Sequence, residues 1–533
     1  MQHRRRLFLP LSRRSFVKLA AAGAAATAFT GCGTDGAEAE QVDNLIIGSG
    51  FGGSITAFRL AQAGHSSVIL ERGRRWTINE PGDDVFSDMG ITEPDRFDRR
   101  STWFDTRPPL PGLIGRVERY AGVLERVYGD GIDIVCAAGV GGGSLVYSGM
   151  MVRPRDEHFS AVFPSEITPR LMDAYYERVR AIVNPTPIPD EVLSRPEWIA
   201  SRTFIEQGER AGFRSERLLC GFDWSKALAE ARGELPPQLI RGSYIFGLNN
   251  DAKATLDKLY LGMAEDTGLV DVRPLHWAQR IVRDGARWRV EVDRIDEEGV
   301  VLETLAFSAR RLYVCAGTAN TNALLLRARD EDTIPNLPES LGEGFGNNGQ
   351  HIRARSHVGV ETGAIQAGPA CLMLYDPDEP IAMENGPAAV GDIRPQVLIG
   401  TGQGIPEQRG RFVWDPASEK VRPQWERSYD LGARELTDGM IARLNEAHPG
   451  SQDATTTFFG ANLSITFHPL GGCVMGQSTD LYGRVNGQDG LYVIDGSLIP
   501  GVTPLSNPCF TISANSERCI ERIIAEDYAG EAA

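Results

Sequence analysis

The strongest pattern in the chain lies at residues 42–75, VDNLIIGSGFGGSITAFRLAQAGHSSVILERGRR. Leu45, Ile46 and Ile47 form an unbroken apolar run, the pattern of a strand buried on both faces of a parallel sheet. A glycine turn follows. Ile55, Phe58, Arg59 and Leu60 then recur at helical spacing, which predicts a helix from Gly53 to Ala63 that Gly64 stops. Ser67 to Leu70 is the next strand, so the segment reads as a βαβ unit. Farther on, the pattern predicts a strand at Leu312–Gly317 leading into a helix at Thr321–Ala328. It predicts helices at Leu171–Val183 and Ser201–Ala211, and strands at Leu463–Phe467 and Gly490–Ile494. A C-terminal helix spans Phe510–Ile524. Residues 76–135 carry no sustained period and read as long loops. Residues 351–464, rich in Gly and Pro, read as an irregular sheet covering a substrate.

Within the βαβ unit, Gly48-Ser49-Gly50-Phe51-Gly52-Gly53 fits G-x-G-x-x-G between a strand and a helix. Gly48 permits the tight turn, Gly50 lets the backbone approach a pyrophosphate, and Gly53 allows close helix–strand packing. The helix N-terminus supplies free N–H groups and partial positive charge. Glu71 closes the second strand, where a carboxylate can hold the adenosine ribose. A second run, Gly139-Val140-Gly141-Gly142-Gly143-Ser144, can lay a concave row of N–H donors against a ring or phosphate. In the C-terminal part, His468 follows an apolar strand and Asn507 precedes the last helix, a base and a polar clamp in one unit.

The 533 residues are 42% hydrophobic and 24% charged, an ordinary folded composition. The net charge of −16 argues against a broad nucleic-acid surface. The basic residues crowd the N-terminus instead. Arg4, Arg5, Arg6, Arg13, Arg14 and Lys18 precede an apolar run from Leu19 to Thr30, too short to span a bilayer. Ser12-Arg13-Arg14-Ser15-Phe16-Val17-Lys18 resembles a twin-arginine export signal, whose machinery carries folded, cofactor-loaded proteins. Phe29-Thr30-Gly31-Cys32 resembles a lipobox, with lipidation at Cys32 or simple cleavage as the two outcomes. Export favours FAD over NAD, because an exported enzyme would lose a diffusible nicotinamide. The eight cysteines show no metal spacing and are expected to be mostly free, buried thiols.

GSGFGG, GVGGGSLV, GLNNDAKATLDKLYL, FHPLGGCVMG, LYVIDGSLIPG and the Asn507-Pro508 segment together resemble the glucose–methanol–choline (GMC) flavin oxidoreductases. The match is to the bacterial cholesterol oxidase branch with non-covalent FAD, in order from about Val42 to Ile524. The resemblance implies an α/β fold, with a Rossmann-like FAD-binding domain and a substrate domain built on a mixed or antiparallel sheet. It divides the chain into an export signal and tether (1–41), an FAD-binding domain (42–75, 136–155, 247–350 and 465–533) and a substrate or cover domain (76–135, 156–246 and 351–464). Gly48, Gly50, Gly53 and Glu71 match the family's adenosine-diphosphate site. Gly141, Gly142, Gly143 and Ser144 match its flavin loop, and Asp495 and Gly496 the ribityl and pyrophosphate neighbourhood. His468 and Asn507 match its catalytic pair. Glu384 matches the glutamate that moves a proton in steroid double-bond isomerisation, with Asp392 as its competitor. The expected partners are a hydrophobic, sterol-like alcohol, oxygen or another electron acceptor, and the export machinery. Membrane contact is expected at the substrate entrance or through Cys32. Three departures bear on the reacting centre: Asn385 and Gly386 after Glu384, Tyr147 and Ser148 at the flavin edge, and Cys509 after Pro508. Asn385 and Gly386 are expected to wet and loosen the pocket around Glu384, so that oxidation outpaces isomerisation.

Overall fold

A computed structural model describes residues 38–530, apart from 88–90, 94–95, 111–112, 114, 360–365, 388–396 and 461–463. The twin-arginine segment, Cys32 and Asp392 lie outside the described residues. The chain divides into Met1–Glu38 and one unit from Ala39 to Ala533.

The βαβ unit forms where the apolar pattern places it. Strand β1 (Glu40–Ile47) starts inside the stretch read as a tether, helix α1 spans Phe51–Gln62, and β2 spans Ser67–Leu70. These strands sit in a seven-stranded sheet with β3 (Val270–Arg273), β4 (His276–Asp284), β5 (Arg287–Ile295) and β6 (Val301–Val314). The order is β4-β5-β6-β1-β2-β3, with Leu491–Val493 also paired to β6. Strand β6 joins two kinds of sheet. Its first half runs antiparallel to β5, and its second half runs parallel to β1 and to Leu491–Val493. Leu45, Ile46, Leu312, Tyr313 and Val314 are fully buried there, as an apolar run covered on both faces requires.

The segment read as an irregular cover is an ordered antiparallel sheet. Strands β7 (Gln350–Ser356), β8 (Leu372–Tyr375), β9 (Ala382–Gly386) and β10 (Val397–Gln403) pair in the order β7-β10-β9-β8, with short edge strands at Gln452–Asp453 and Arg214–Arg217. A helix at Leu431–Glu446 packs against β7 and β10. Glycines at 386, 400, 402 and 404 mask the strand alternation of this region in the sequence. Their pairing in register shows why they are there: a Cβ on Gly400 would lie 2.6 Å from the Met383 sulfur.

The C-terminal helix, α2 (Pro508–Asp527), lies against α1. The contact is fixed by a buried carboxylate. Glu517 has no exposed surface and accepts from Arg59 Nε at 2.6 Å, Arg59 Nη2 at 2.8 Å and Tyr260 Oη at 2.8 Å. A bidentate guanidinium is the geometry that makes such burial tolerable. Glu517→Ala leaves Arg59 and Tyr260 without their acceptor, and a loss of about 3–5 kcal/mol in unfolding free energy is expected, read as a lower denaturant midpoint. Arg232→Ala, which breaks only an exposed pair with Glu234, is expected to leave the midpoint in place.

Candidate active site

One cavity of about 1260 Å³ runs from the ends of β1 and β2 to the face of the antiparallel sheet. At its first end two glycine turns meet backbone to backbone. A Cβ on Gly142 would lie 2.6 Å from Gly50 Cα, and Gly142 itself has φ +54°, so a side chain is excluded twice over. Gly48, Gly50, Glu71, Gly142, Gly143, Asp495 and Gly496 line this end. Gly53, Gly141 and Ser144 do not line the cavity themselves; they shape the cradle. A Cβ on Gly53 would collide with the Gly48 carbonyl, Gly141 makes the left-handed turn, and Ser144 Oγ donates to Gly141 O at 2.7 Å.

The carboxylates of the cradle are already partnered. Glu71 accepts from Ser49 N at 3.1 Å, Ser49 Oγ at 2.7 Å and Gly73 N at 2.8 Å. Asp495 accepts from Gly317 N at 3.0 Å and Thr321 Oγ1 at 2.6 Å through one oxygen, and from Ser497 through the other. It ties the turn after β6 to the C-terminal strand beneath the cavity floor. A cleft with glycine turns, a helix N-terminus and an acid at the strand end fits a dinucleotide such as FAD.

At the other end His468, Asn507 and Glu384, the outer two 123 residues apart in sequence, come together. Asn507 Nδ2 donates to Glu384 Oε2 at 3.0 Å and lies 3.4 Å from His468 Nε2. Asn507 is the N-cap residue of α2, yet its side chain makes no capping hydrogen bond. The amide gives up a contact usually worth about 1 kcal/mol to face the cavity. Its Oδ1 is buried without a partner. His468 is held at its backbone by Thr466 Oγ1 at 2.9 Å, and Asn348 Nδ2 lies 3.3 Å from its Nδ1. Burial drives the imidazole down to about 3, so it is neutral through the ordinary pH range. Burial pushes the Glu384 carboxyl up to about 7, against the hydrogen bond from Asn507 that favours its charged form.

The expectation that Asn385 wets this pocket is overturned by strand alternation. Glu384 pairs with Thr401, and both face the cavity; Asn385 faces the other way. Its amide is spent there, accepting from Cys371 N at 3.1 Å and Leu372 N at 2.9 Å and donating to Ser201 Oγ at 3.2 Å. Gly386 does line the cavity. Tyr147 and Cys509 line it too, with Tyr147 Oη bonded to Ala254 O and Cys509 Sγ to Met150 O. All seven described cysteines are free thiols. Sequence reasoning missed Tyr244, Gln350 and Thr401 on the cavity wall, and Asn348 behind His468. Only Asn348 left a signal, as an Asn-Asn-Gly turn at 347–349.

A Rossmann-type sheet opening onto a buried His–Asn–Glu corner fits a flavin-dependent oxidoreductase acting on CH–OH groups. Comparison with known proteins agrees. A profile described as GMC oxidoreductase, a family that uses FAD, matches residues 406–516, and one described as an NAD(P)-binding Rossmann-like domain matches 46–109. A cholesterol oxidase of Mycobacterium tuberculosis is 27% identical over 549 residues, covering 89% of this chain and 90% of that protein. A cholesterol oxidase of Acinetobacter baumannii is 23% identical over 567 residues, with 91% and 94% covered. Among solved structures, a pyridoxine 4-oxidase from "Mesorbium loti" superposes with a TM-score of 0.63 at 16% identity, covering 91% of this chain and 99% of that one.

The Glu384 environment has a thermodynamic signature. Its native pKa of about 7 lies above the unfolded value near 4.5, so between those pH values the native state binds more proton and stability falls as pH rises. Glu384→Gln removes this penalty. The variant is expected to be more stable than the parent by about 3 kcal/mol at pH 8, with the gap closing by about pH 4.5. Denaturant unfolding across pH checks it; a destabilised variant at pH 8 contradicts the burial of an ionisable carboxyl.

Proposed function

We propose that the protein is an FAD-dependent oxidase that converts a secondary hydroxyl of a sterol or a similarly hydrophobic alcohol to a ketone, with oxygen as electron acceptor and hydrogen peroxide as product. The observation that carries this reading is the corner formed by His468 Nε2, Asn507 and Glu384, buried and continuous with the glycine cradle. A hydroxyl suits that corner because it both donates and accepts, and Asn507 Oδ1 is a buried acceptor without a partner. The walls around it are apolar: Met150, Ile245, Ile352, Ile399, Phe459 and Phe467 line the cavity. The likeness to cholesterol oxidases in sequence supports a sterol-like substrate.

FAD bound along the cradle supplies the hydride acceptor. His468 and Asn507 hold the carbinol oxygen in place, and the apolar walls exclude water from it. Glu384, half ionised near neutral pH, holds or moves a proton at its Oε2. The same carboxyl suits isomerisation of a 3β-hydroxy-5-ene steroid, which needs a base that is neither fully charged nor fully protonated. With Asn385 turned away, the pocket retains the apolar character that this base requires. The reading extends to location. Arg13-Arg14 and Cys32 support export of the folded, FAD-loaded enzyme through the twin-arginine machinery, with Cys32 as a candidate lipid anchor.

Incubation with a 3β-hydroxy-5-ene sterol in air is expected to release peroxide and to generate the conjugated-enone absorbance in step with it. His468→Ala is expected to lose about 10²–10⁴-fold in turnover while remaining yellow. Glu384→Gln is expected to abolish the enone signal. Acid precipitation is expected to release the yellow colour into the supernatant, as non-covalent FAD requires. Flavin bleaching by sterol without oxygen, but no peroxide in air, would instead identify a dehydrogenase using another acceptor.

A further inference from the structure

Gln403 closes β10 with an amide that nothing satisfies. It has no exposed surface, and neither its Oε1 nor its Nε2 meets a hydrogen-bonding partner among the described residues. An amide offers both donors and acceptors, and burying all of them unmade is costly. Strand register places this side chain. Gln403 stands opposite Gln350 of β7 and Ala382 of β9, so it shares a sheet face with Glu384, whose own partner is Thr401. Gln403 and Glu384 are thus diagonal neighbours on adjacent strands. Such positions lie about 7–8 Å apart, within reach of long side chains.

The groups around it are committed elsewhere or face the cavity. Gln350 Oε1 accepts from Phe467 N at 2.8 Å and from Thr466 Oγ1 at 3.2 Å. Asn507 Nδ2 donates to Glu384 Oε2 and leaves Oε1 for a second donor. Gln350, Thr401 and Glu384 line the cavity but Gln403 does not, so its amide lies below the cavity wall, out of a substrate's reach. It still favours the charged form of Glu384, across a gap that no direct hydrogen bond closes. A molecule filling such a gap must be small, and must donate to one polar group while accepting from another. That is the chemistry of water. We propose that Gln403 is a positioning residue that holds one ordered water against Glu384, so that the carboxyl is solvated from below in both of its protonation states. This rests on the function proposed above for its kinetic consequence, but not for the water itself.

An amide suits this place because it works in both directions. Against a carboxylate, the water donates to Glu384 and accepts from Gln403 Nε2. Against a protonated carboxyl, it accepts from Glu384 and donates to Gln403 Oε1. No neighbour fixes which end of the amide is which, so Gln403 can turn with the water. A methionine would serve neither state, and a lysine would hold only the charged one. No charged side chain competes among the described residues. Cys220, Tyr244, Tyr375 and Cys509 stand within electrostatic reach of Glu384, each kept uncharged by burial, and His468 is neutral beside them. Glu384 therefore meets the amide of Asn507 on one side and a hydrated amide on the other.

The test begins with a crystal structure of the FAD-loaded enzyme at a resolution that shows ordered water. The expected map has one water within hydrogen-bonding distance of both the Gln403 amide and Glu384. In parallel, the infrared band of the protonated Glu384 carboxyl, assigned by its loss in Glu384→Gln, is titrated without substrate. Gln403→Met keeps the length of the side chain and removes both hydrogen-bonding ends. It is expected to lose the water and to raise the pH at which the band disappears by about one pH unit, a tenfold change in the ionisation constant, because the charged form depends more on solvation. The pH dependence of flavin bleaching by alcohol is expected to move by the same amount. A Gln403 amide bonded directly to Glu384, or no water between them, overturns the proposal, as does a Gln403→Met enzyme whose band titrates with the parent's. The parent map decides the matter even where Gln403→Met fails to fold. A water and a shifted band in an enzyme that oxidises no alcohol would refute the proposed function and leave this assignment standing.

Discussion

Everything distinctive about this protein's site follows from removing three polar side chains from water. In solution His468 would be a partly charged imidazole and Glu384 a full carboxylate. Buried together, they become a neutral ring and a carboxyl poised near pH 7. No cation stands against Glu384 among the causes that set its ionisation, so desolvation is opposed chiefly by the amide of Asn507. That balance is why an amide, rather than a lysine or arginine, occupies position 507. A cation there would hold the carboxylate charged and end its usefulness as a group that both takes and returns a proton.

The scaffold maintains this arrangement by joining distant segments through contacts that tolerate little variation. Asn507 is carried by α2, and α2 is pinned to α1 through Glu517 and Arg59. Helix α1 in turn begins at the glycine turn that meets Gly142. Glu384 comes from the opposite side, on a strand whose neighbours Met383 and Asn385 anchor it to packed helices and loops. The cofactor cradle and the reacting corner therefore share a framework, and a fault in one helix contact propagates to both.

The βαβ unit and the C-terminal strand and helix were legible in the sequence because their signals are local, whereas Glu384 was named only through the family resemblance, with Asp392 as its competitor. Leu45–Ile47 is a continuous apolar run, and the glycine fingerprint sits between strand and helix. The antiparallel sheet was expected from the resemblance, but its individual strands were not legible, since glycines at 386, 400 and 402 interrupt the alternation that marks a strand. Nor was the direction of the Asn385 side chain, which depends on the register of β9 against β10. The same register that turns Asn385 away presents Glu384 to the cavity. Asn348 was hidden for a different reason: the groups it meets, His468, Thr503 and Ser506, lie 120 or more residues away.

The central claim is that one desolvated carboxyl, with a neutral histidine beside it, governs proton movement in the reacting corner. The most direct measurement is the rate of flavin bleaching on anaerobic mixing with a hydrophobic secondary alcohol, followed from pH 5 to pH 9. The account predicts a rate that rises through a single ionisation near pH 7, as Glu384 becomes a base, and a limb that disappears in Glu384→Gln. An ionisation that survives Glu384→Gln unchanged would show that another group takes the proton and would contradict the account.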